Sequence, residues 1–134
     1  MEQISKEARV ILNILKKERI HFQLEYTFPD LKGKKGVPYR FDFAIFKNGH
    51  LYCLVEYDST LHFDKNNKLV KNPRRYREND VKKNVYCLAH DIPLYRISYW
   101  DLKNIHTFSD IVNEKYLVKS KWHNYQVAEK HGML

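Results

Sequence analysis

Glycine and proline are scarce in this chain of 134 residues, at four each, and cysteine is scarcer still, at two. No Pro/Gly/Ser-rich linker, internal repeat or low-complexity tract divides the sequence, so one compact domain is expected. No run approaches the roughly 20 apolar residues of a membrane span. The opening Met1-Glu2-Gln3-Ile4-Ser5-Lys6-Glu7 lacks the basic-then-apolar layout of an export signal. The two cysteines, Cys53 and Cys87, sit in apolar segments, which argues against a disulfide scaffold and for a reducing cytoplasm. No Cys pair has zinc-site spacing, no His-Glu-x-x-His occurs, and no glycine loop is built to cradle phosphates. Gly33-Lys34-Lys35-Gly36 has the form of an RNA-binding Gly-x-x-Gly loop, but strands flank it where that module needs helices.

Hydrophobic residues make up 43% of the chain and aromatics 14%, with ten tyrosines, enough for a packed core. Lys plus Arg outnumber Asp plus Glu by 24 to 16, a net charge of +8 and a pI near 9.4. The excess gathers in one stretch, where Lys65, Lys68, Lys71, Arg74, Arg75, Arg77, Lys82 and Lys83 face only Glu78 and Asp80. Such a stripe suits a polyanion, nucleic acid above all, and equally suits a solvated helix face.

Apolar residues at helical steps predict an amphipathic helix from Ile4 to about Arg19. Strands are predicted at His21–Phe28, Tyr39–Phe46, Leu51–Tyr57 and Pro93–Tyr99. Asn48-Gly49 is a hairpin turn signal, and the near-continuous apolar run after it predicts a strand buried on both faces. Asp30–Pro38 reads as a lysine-bearing loop, and Phe63–Pro73 as a polar, basic, mobile segment. Arg74–His90 reads as a helix with Val81, Val85 and Leu88 turned inward, and Ser109–Leu117 as a further amphipathic helix. The fold class is therefore α/β, a mixed sheet flanked by helices in the order α-β-β-β-α-β-α. The core spans about residues 4–117, and residues 118–134 form a C-terminal tail.

Two acids stand where a core would reject them. Asp42 lies in Arg40-Phe41-Asp42-Phe43 and Glu56 in Leu54-Val55-Glu56-Tyr57. A carboxylate in a buried strand needs a cation or strong donors. If the Asn48-Gly49 hairpin pairs the two strands, both acids fall near one end of the sheet. A divalent ion between them would relieve their repulsion, and an all-oxygen donor set favours Mg²⁺ or Mn²⁺. Ion pairs to Arg40 or Arg77 would satisfy the same acids.

These residues, with Ser5-Lys6-Glu7, Gln23-Leu24-Glu25-Tyr26, Val55-Glu56-Tyr57-Asp58-Ser59-Thr60-Leu61-His62, Arg77-Glu78-Asn79-Asp80 and Ile92-Pro93-Leu94-Tyr95-Arg96-Ile97, form an ordered series. In order and spacing the series resembles the PD-(D/E)XK nuclease superfamily, whose fold is restriction-endonuclease-like. Within it the chain is most similar to small phage and viral endonucleases related to very short patch repair endonucleases and some homing endonucleases. The resemblance spans roughly Ser5 to Tyr99.

It implies a metal-dependent DNA endonuclease that hydrolyses phosphodiester bonds. Asp42, Glu56 and Tyr57 would hold Mg²⁺ or Mn²⁺. Glu7 would complete the site from the first helix, although as a first-turn acid it also suits the helix dipole. His62 would orient a water or contact phosphate, or stand exposed on its loop. The family's lysine is replaced by Asp58, and Lys83 is either its substitute or a solvated side chain. Ser59 and Leu61 stand where the subgroup often has Gly and Gln. Lys32, Lys34, Lys35, Arg74, Arg75 and Arg77 would hold backbone phosphates. The implied partner is DNA and not a membrane, with a homodimer allowed, and the implied setting is the cytoplasm, for a phage protein that of its host. The alternative reading is a nuclease-fold protein that binds nucleic acid without cutting it, as a phage regulatory or interference factor.

Overall fold

A computed structural model describes residues 4–59 and 73–132, with side chains from residue 78 in the second stretch. His62, the basic residues Lys65, Lys68 and Lys71, and the side chains of Arg74, Arg75 and Arg77 lie outside the described residues. The chain forms α1 (Arg9–Lys17), β1 (His21–Lys32), β2 (Pro38–Lys47), β3 (His50–Asp58), α2 (Pro73–Ala89) and β4 (Leu94–Ser98). A 3₁₀ turn (Tyr99–Asn104), α3 (Phe108–Ile111), a second 3₁₀ turn (Glu114–Tyr116) and α4 (His123–Lys130) follow.

The four strands make one mixed sheet in the order β1-β2-β3-β4, antiparallel through β3 and parallel between β3 and β4. Asn48 and Gly49 carry the hairpin between β2 and β3 at φ 52° and 78°. Left-handed conformations at both central residues match the twist of the flanking strands, which is why Asn-Gly is favoured there. The parallel β3–β4 pair requires a crossover, and α2 supplies it.

Each face of the sheet has its own core. On one face Ile11, Leu12 and Leu15 of α1 pack with Phe43, Ile45, Cys53, Val55 and Ile97. On the other, Leu54, Ala44 and Leu94 pack with Cys87 of α2. The apolar run of β3 is thus covered on both sides, as its sequence predicts. Period-2 alternation sends Leu54, Glu56 and Asp58 toward α2. Strict alternation would also place Phe41 and Phe43 on one face, yet Phe41 joins the α2-side core and Phe43 the α1-side core. The strand changes sides at Asp42, between them.

Four expectations are corrected. β1 runs on to Lys32, so the first three residues of the stretch read as a loop from Asp30 are strand. Val85 and Leu88 of α2 are exposed, and Asp80, Asn84 and Cys87 are buried in their place. The helix expected at Ser109–Leu117 is instead the four-residue α3, the Glu114–Tyr116 turn and a bridge of Leu117 to Tyr95. Residues 118–132, read as a tail, contain α4, whose Ala128 is buried. Among the described residues no helix is long and apolar enough to cross a membrane.

The polar inner face of α2 follows from Arg96 on β4, which is 2% exposed. Its Nη1 donates to Asp58 Oδ1 at 2.7 Å, and its Nε to Asn84 Oδ1 at 2.9 Å. Asp80 Oδ1 lies 3.6 Å from Nη1. Asn84 Nδ2 donates to the Lys121 carbonyl and to Asn124 Oδ1, and Asn124 Nδ2 donates to Asp58 Oδ2. One guanidinium thereby joins β3, β4 and α2, and through Asn124 reaches α4. Removing one partner of such a buried set leaves the others as uncompensated charge. Arg96→Met should lower unfolding free energy by about 3–5 kcal/mol in urea denaturation. Lys119→Met, which breaks the exposed pair to Glu114, should change it by less than about 1 kcal/mol.

Candidate active site

Asp42 and Glu56 meet where the β2–β3 ladder stops. The last paired residues at that end are Phe43 and Val55. Beyond them, side chains replace the backbone acceptors. The Asp42 N–H donates to Glu56 Oε1 and the Tyr57 N–H donates to Asp42 Oδ2, each at 2.7 Å. Each carboxylate therefore holds the backbone of the opposite strand, and both acids are brought together at the sheet end as expected.

Lys83 completes the group. It reaches from α2 to Glu56, with Nζ 3.1 Å from Oε2 and its side chain only 14% exposed. The solvated alternative for this lysine is thus corrected: α2 turns it inward beside Asn84, because the Arg96 contacts fix the helix phase. Burial works against the charge on Lys83, but Glu56 and Asp42 outweigh it and its pKa is raised. Lys83 therefore stays protonated at neutral pH.

Asp42 carries the electrostatic load. Burial first, then the neighbouring Glu56 charge, pushes its pKa up to about 7, while the Tyr57 N–H and Lys83 pull the other way. Ion pairing of the acids to Arg40 does not occur, since Arg40 Nη1 lies 3.4 Å from Glu25 Oε2. Asp58, two residues after Glu56, is paired with Arg96 instead.

A cavity of about 230 Å³ opens beside Asp42, lined by Ile4, Ser5, Ala8, Glu25, Asp42, Phe43, Tyr57 and Ser59. Glu7 is exposed on the turn before α1, between two lining residues. It lies near enough to the Tyr57 hydroxyl to add to a pKa rise that burial begins. Lys32, Lys34 and Lys35 are exposed around the β1–β2 turn, at the sheet end that holds Asp42. Lys82 lies over the Tyr39 ring, 6.0 Å from its centroid.

Glu25 is a cavity residue that the sequence pattern did not single out. It sits in β1 at φ 49°, where the β1–β2 pairing passes from Leu24–Phe43 to Tyr26–Phe41. An acid in an exposed, alternating strand carries no signal of its own; only its place between the Leu24–Phe43 and Tyr26–Phe41 pairs, shared with Asp42, reveals it.

Among the described residues the donor set at Asp42 and Glu56 is hard oxygen, without thiolate or imidazole, and this fits Mg²⁺ or Mn²⁺ rather than zinc. Among the described residues no group of three or more His, Cys, Asp or Glu stands ready to enclose a metal. Mg²⁺ is commonly bound through one or two carboxylates and keeps several waters, a number of carboxylates that Asp42 and Glu56 supply. Comparison of the chain with protein-family models, curated proteins and solved structures found no match.

The raised Asp42 pKa has a signed consequence for stability. The folded state holds this proton more tightly than the unfolded chain, so the group's contribution is lost as pH rises from about 4 to about 7. His123, lowered to about 4 by burial and Arg96, has the opposite slope, and it cancels when variants are compared. In EDTA, the melting temperature of Asp42→Asn relative to wild type should climb across that interval. A difference independent of pH would mean that Asp42 is already ionised when folded.

Proposed function

We propose that this chain is a Mg²⁺- or Mn²⁺-dependent DNA endonuclease of the PD-(D/E)XK, restriction-endonuclease-like superfamily. The carrying observation is the Asp42–Glu56 pair at the parting of two strands, with the Lys83 ammonium held on Glu56. A structural ion pair alone needs one acid, and here a like-charged second acid stands beside it, with burial and the Glu56 charge raising the Asp42 pKa. The order α1-β1-β2-β3-α2-β4 supports the same reading. The free, buried Cys53 and Cys87 are in keeping with action in a reducing cytoplasm.

Asp42 and Glu56 would hold the ion, which when bound polarises the phosphate and lowers the pKa of a water for in-line attack. Lys83, protonated and shielded from solvent, stabilises the negative charge that grows on the phosphoryl oxygens. Its charge needs no strand residue, so Asp58 is free for Arg96. Lys32, Lys34 and Lys35 contact flanking phosphates, positioning the strand without reading its sequence. Arg74, Arg75 and Arg77 at the start of α2 extend the same role.

Supercoiled plasmid and branched DNA, incubated with Mg²⁺, Mn²⁺ or EDTA, test this reading. Wild type should cut in either metal and not in EDTA. Asp42→Asn and Glu56→Gln should abolish cutting while DNA binding holds or tightens, because carboxylate–phosphate repulsion falls. Lys83→Met should slow cutting roughly 10²–10³-fold, the scale set by loss of one preorganised charge-stabilising donor. Cutting that survives Asp42→Asn would end the mechanism. A wild type that binds every DNA form and cuts none would favour the non-cutting nucleic-acid-binding alternative. Binding should also weaken with salt, and Lys34→Ala with Lys35→Ala should flatten the log–log slope by about 2.

A further inference from the structure

The turn between β1 and β2 carries side chains that the fold does not use. From Leu31 to Phe41 the sequence holds Lys32, Lys34, Lys35 and Arg40 and no acid. Arg40 is paired with Glu25. Among the described residues Lys32, Lys34 and Lys35 form no ion pair. Val37 stands beside them 58% exposed, more open to solvent than any other large hydrophobic side chain among the described residues.

The backbone sets this turn without them. The Gly33 N–H donates to the Val37 carbonyl at 2.9 Å, and the Gly36 N–H to the Gly33 carbonyl at 3.0 Å. Gly36 takes φ 76°, and a Cβ at Gly33 would stand 3.1 Å from Tyr39 Cε1. Pro38 keeps the residue before it extended, and a β-branched side chain has few rotamers. Val37 is therefore a stiff apolar projection among unpaired ammonium groups.

Lysines alone suit phosphate. A fixed apolar group among them suits a surface where methyl groups lie between two rows of phosphate. That surface is the major groove of a duplex, where thymine presents its C5-methyl. The turn closes a two-stranded ribbon, paired at Lys32 and Pro38. The major groove, about 12 Å wide, admits such a ribbon; the minor groove, about 6 Å wide, presents no methyl. Pro38 and Asp42 are separated by four steps of β2, roughly 13 Å at about 3.3 Å per residue. A phosphate held at Asp42 thus leaves the turn within reach of the adjoining groove.

We propose that the β1–β2 turn enters the major groove of duplex DNA, with Val37 packed on a thymine methyl and the lysines on the phosphates at either side. The proposal rests on the nuclease reading and names its substrate class: a duplex, with thymine preferred near the cut.

Binding is measured in EDTA, so that no cleavage intervenes. The probes are a mixed-sequence duplex and the same duplex with deoxyuridine for every thymidine, which removes only the methyls. Wild type should bind the thymine duplex about fourfold tighter, the worth of one buried methyl-sized group. Val37→Ser should bind both alike, and Val37→Ile should keep the preference. Lys34→Ala with Lys35→Ala should weaken both and leave their ratio. Wild type should bind the two sequences alike as single strands, where no groove exists. Should Val37→Ser fail to fold by circular dichroism, wild type on duplexes and single strands decides. Indifference of wild type to the methyls, a preference that persists in Val37→Ser, or an equal preference on single strands overturns the groove contact. Plasmid cutting by wild type together with such a result removes the groove contact alone. A methyl preference lost in Val37→Ser, in a protein that cuts no DNA, removes the cutting and leaves the contact.

Discussion

A guanidinium sealed from water is the constraint around which this domain is arranged. Arg96 enters the sheet on β4, and its charge obliges neighbouring elements to present oxygen rather than hydrocarbon. Asp58 answers from β3, Asp80 and Asn84 from α2, and Asn124 links α4 to both Asp58 and Asn84. Desolvating an ion of this kind is tolerable only when its donors are satisfied together. The network is therefore all-or-none, and it fixes the rotation of α2. Lys83 follows Asp80 by three positions and precedes Asn84 by one, so its approach to Glu56 is a by-product of that rotation.

The same constraint explains how Glu56 and Asp58 stand together on β3. Asp58 and Glu56 share a strand face, and without help two adjacent acids there would repel. Arg96 neutralises one and Lys83 the other, from different elements. Asp42 is left as the acid whose ionisation is disfavoured.

What could be read from sequence was local. The Asn48-Gly49 turn, the strand boundaries to within a few residues, the double-sided burial of β3 and the meeting of Asp42 with Glu56 all follow from period, turn chemistry and adjacency. The phase of α2 does not. Its buried positions are polar, and the reason lies on β4, beyond the helix itself, so an apolar-stripe rule chose Val85 and Leu88 and missed Asn84. α4 was hidden for a related reason. Few apolar residues mark it, and it is held by Asn124, whose partners lie 66 and 40 residues away. Glu25 lacked any signal because its relation to Asp42 exists only across the β1–β2 pairing.

The placement of Lys83 and Asn84 side by side on α2 ties two properties that proteins often keep apart. A slip or turn of this helix that withdrew the ammonium from Glu56 would also withdraw the amide from Arg96 and strand a buried charge. Misaligning the lysine thus carries the cost of breaking a buried charge network, about 3–5 kcal/mol. Selection for persistence of the fold alone would go on preserving the placement of Lys83 beside Glu56.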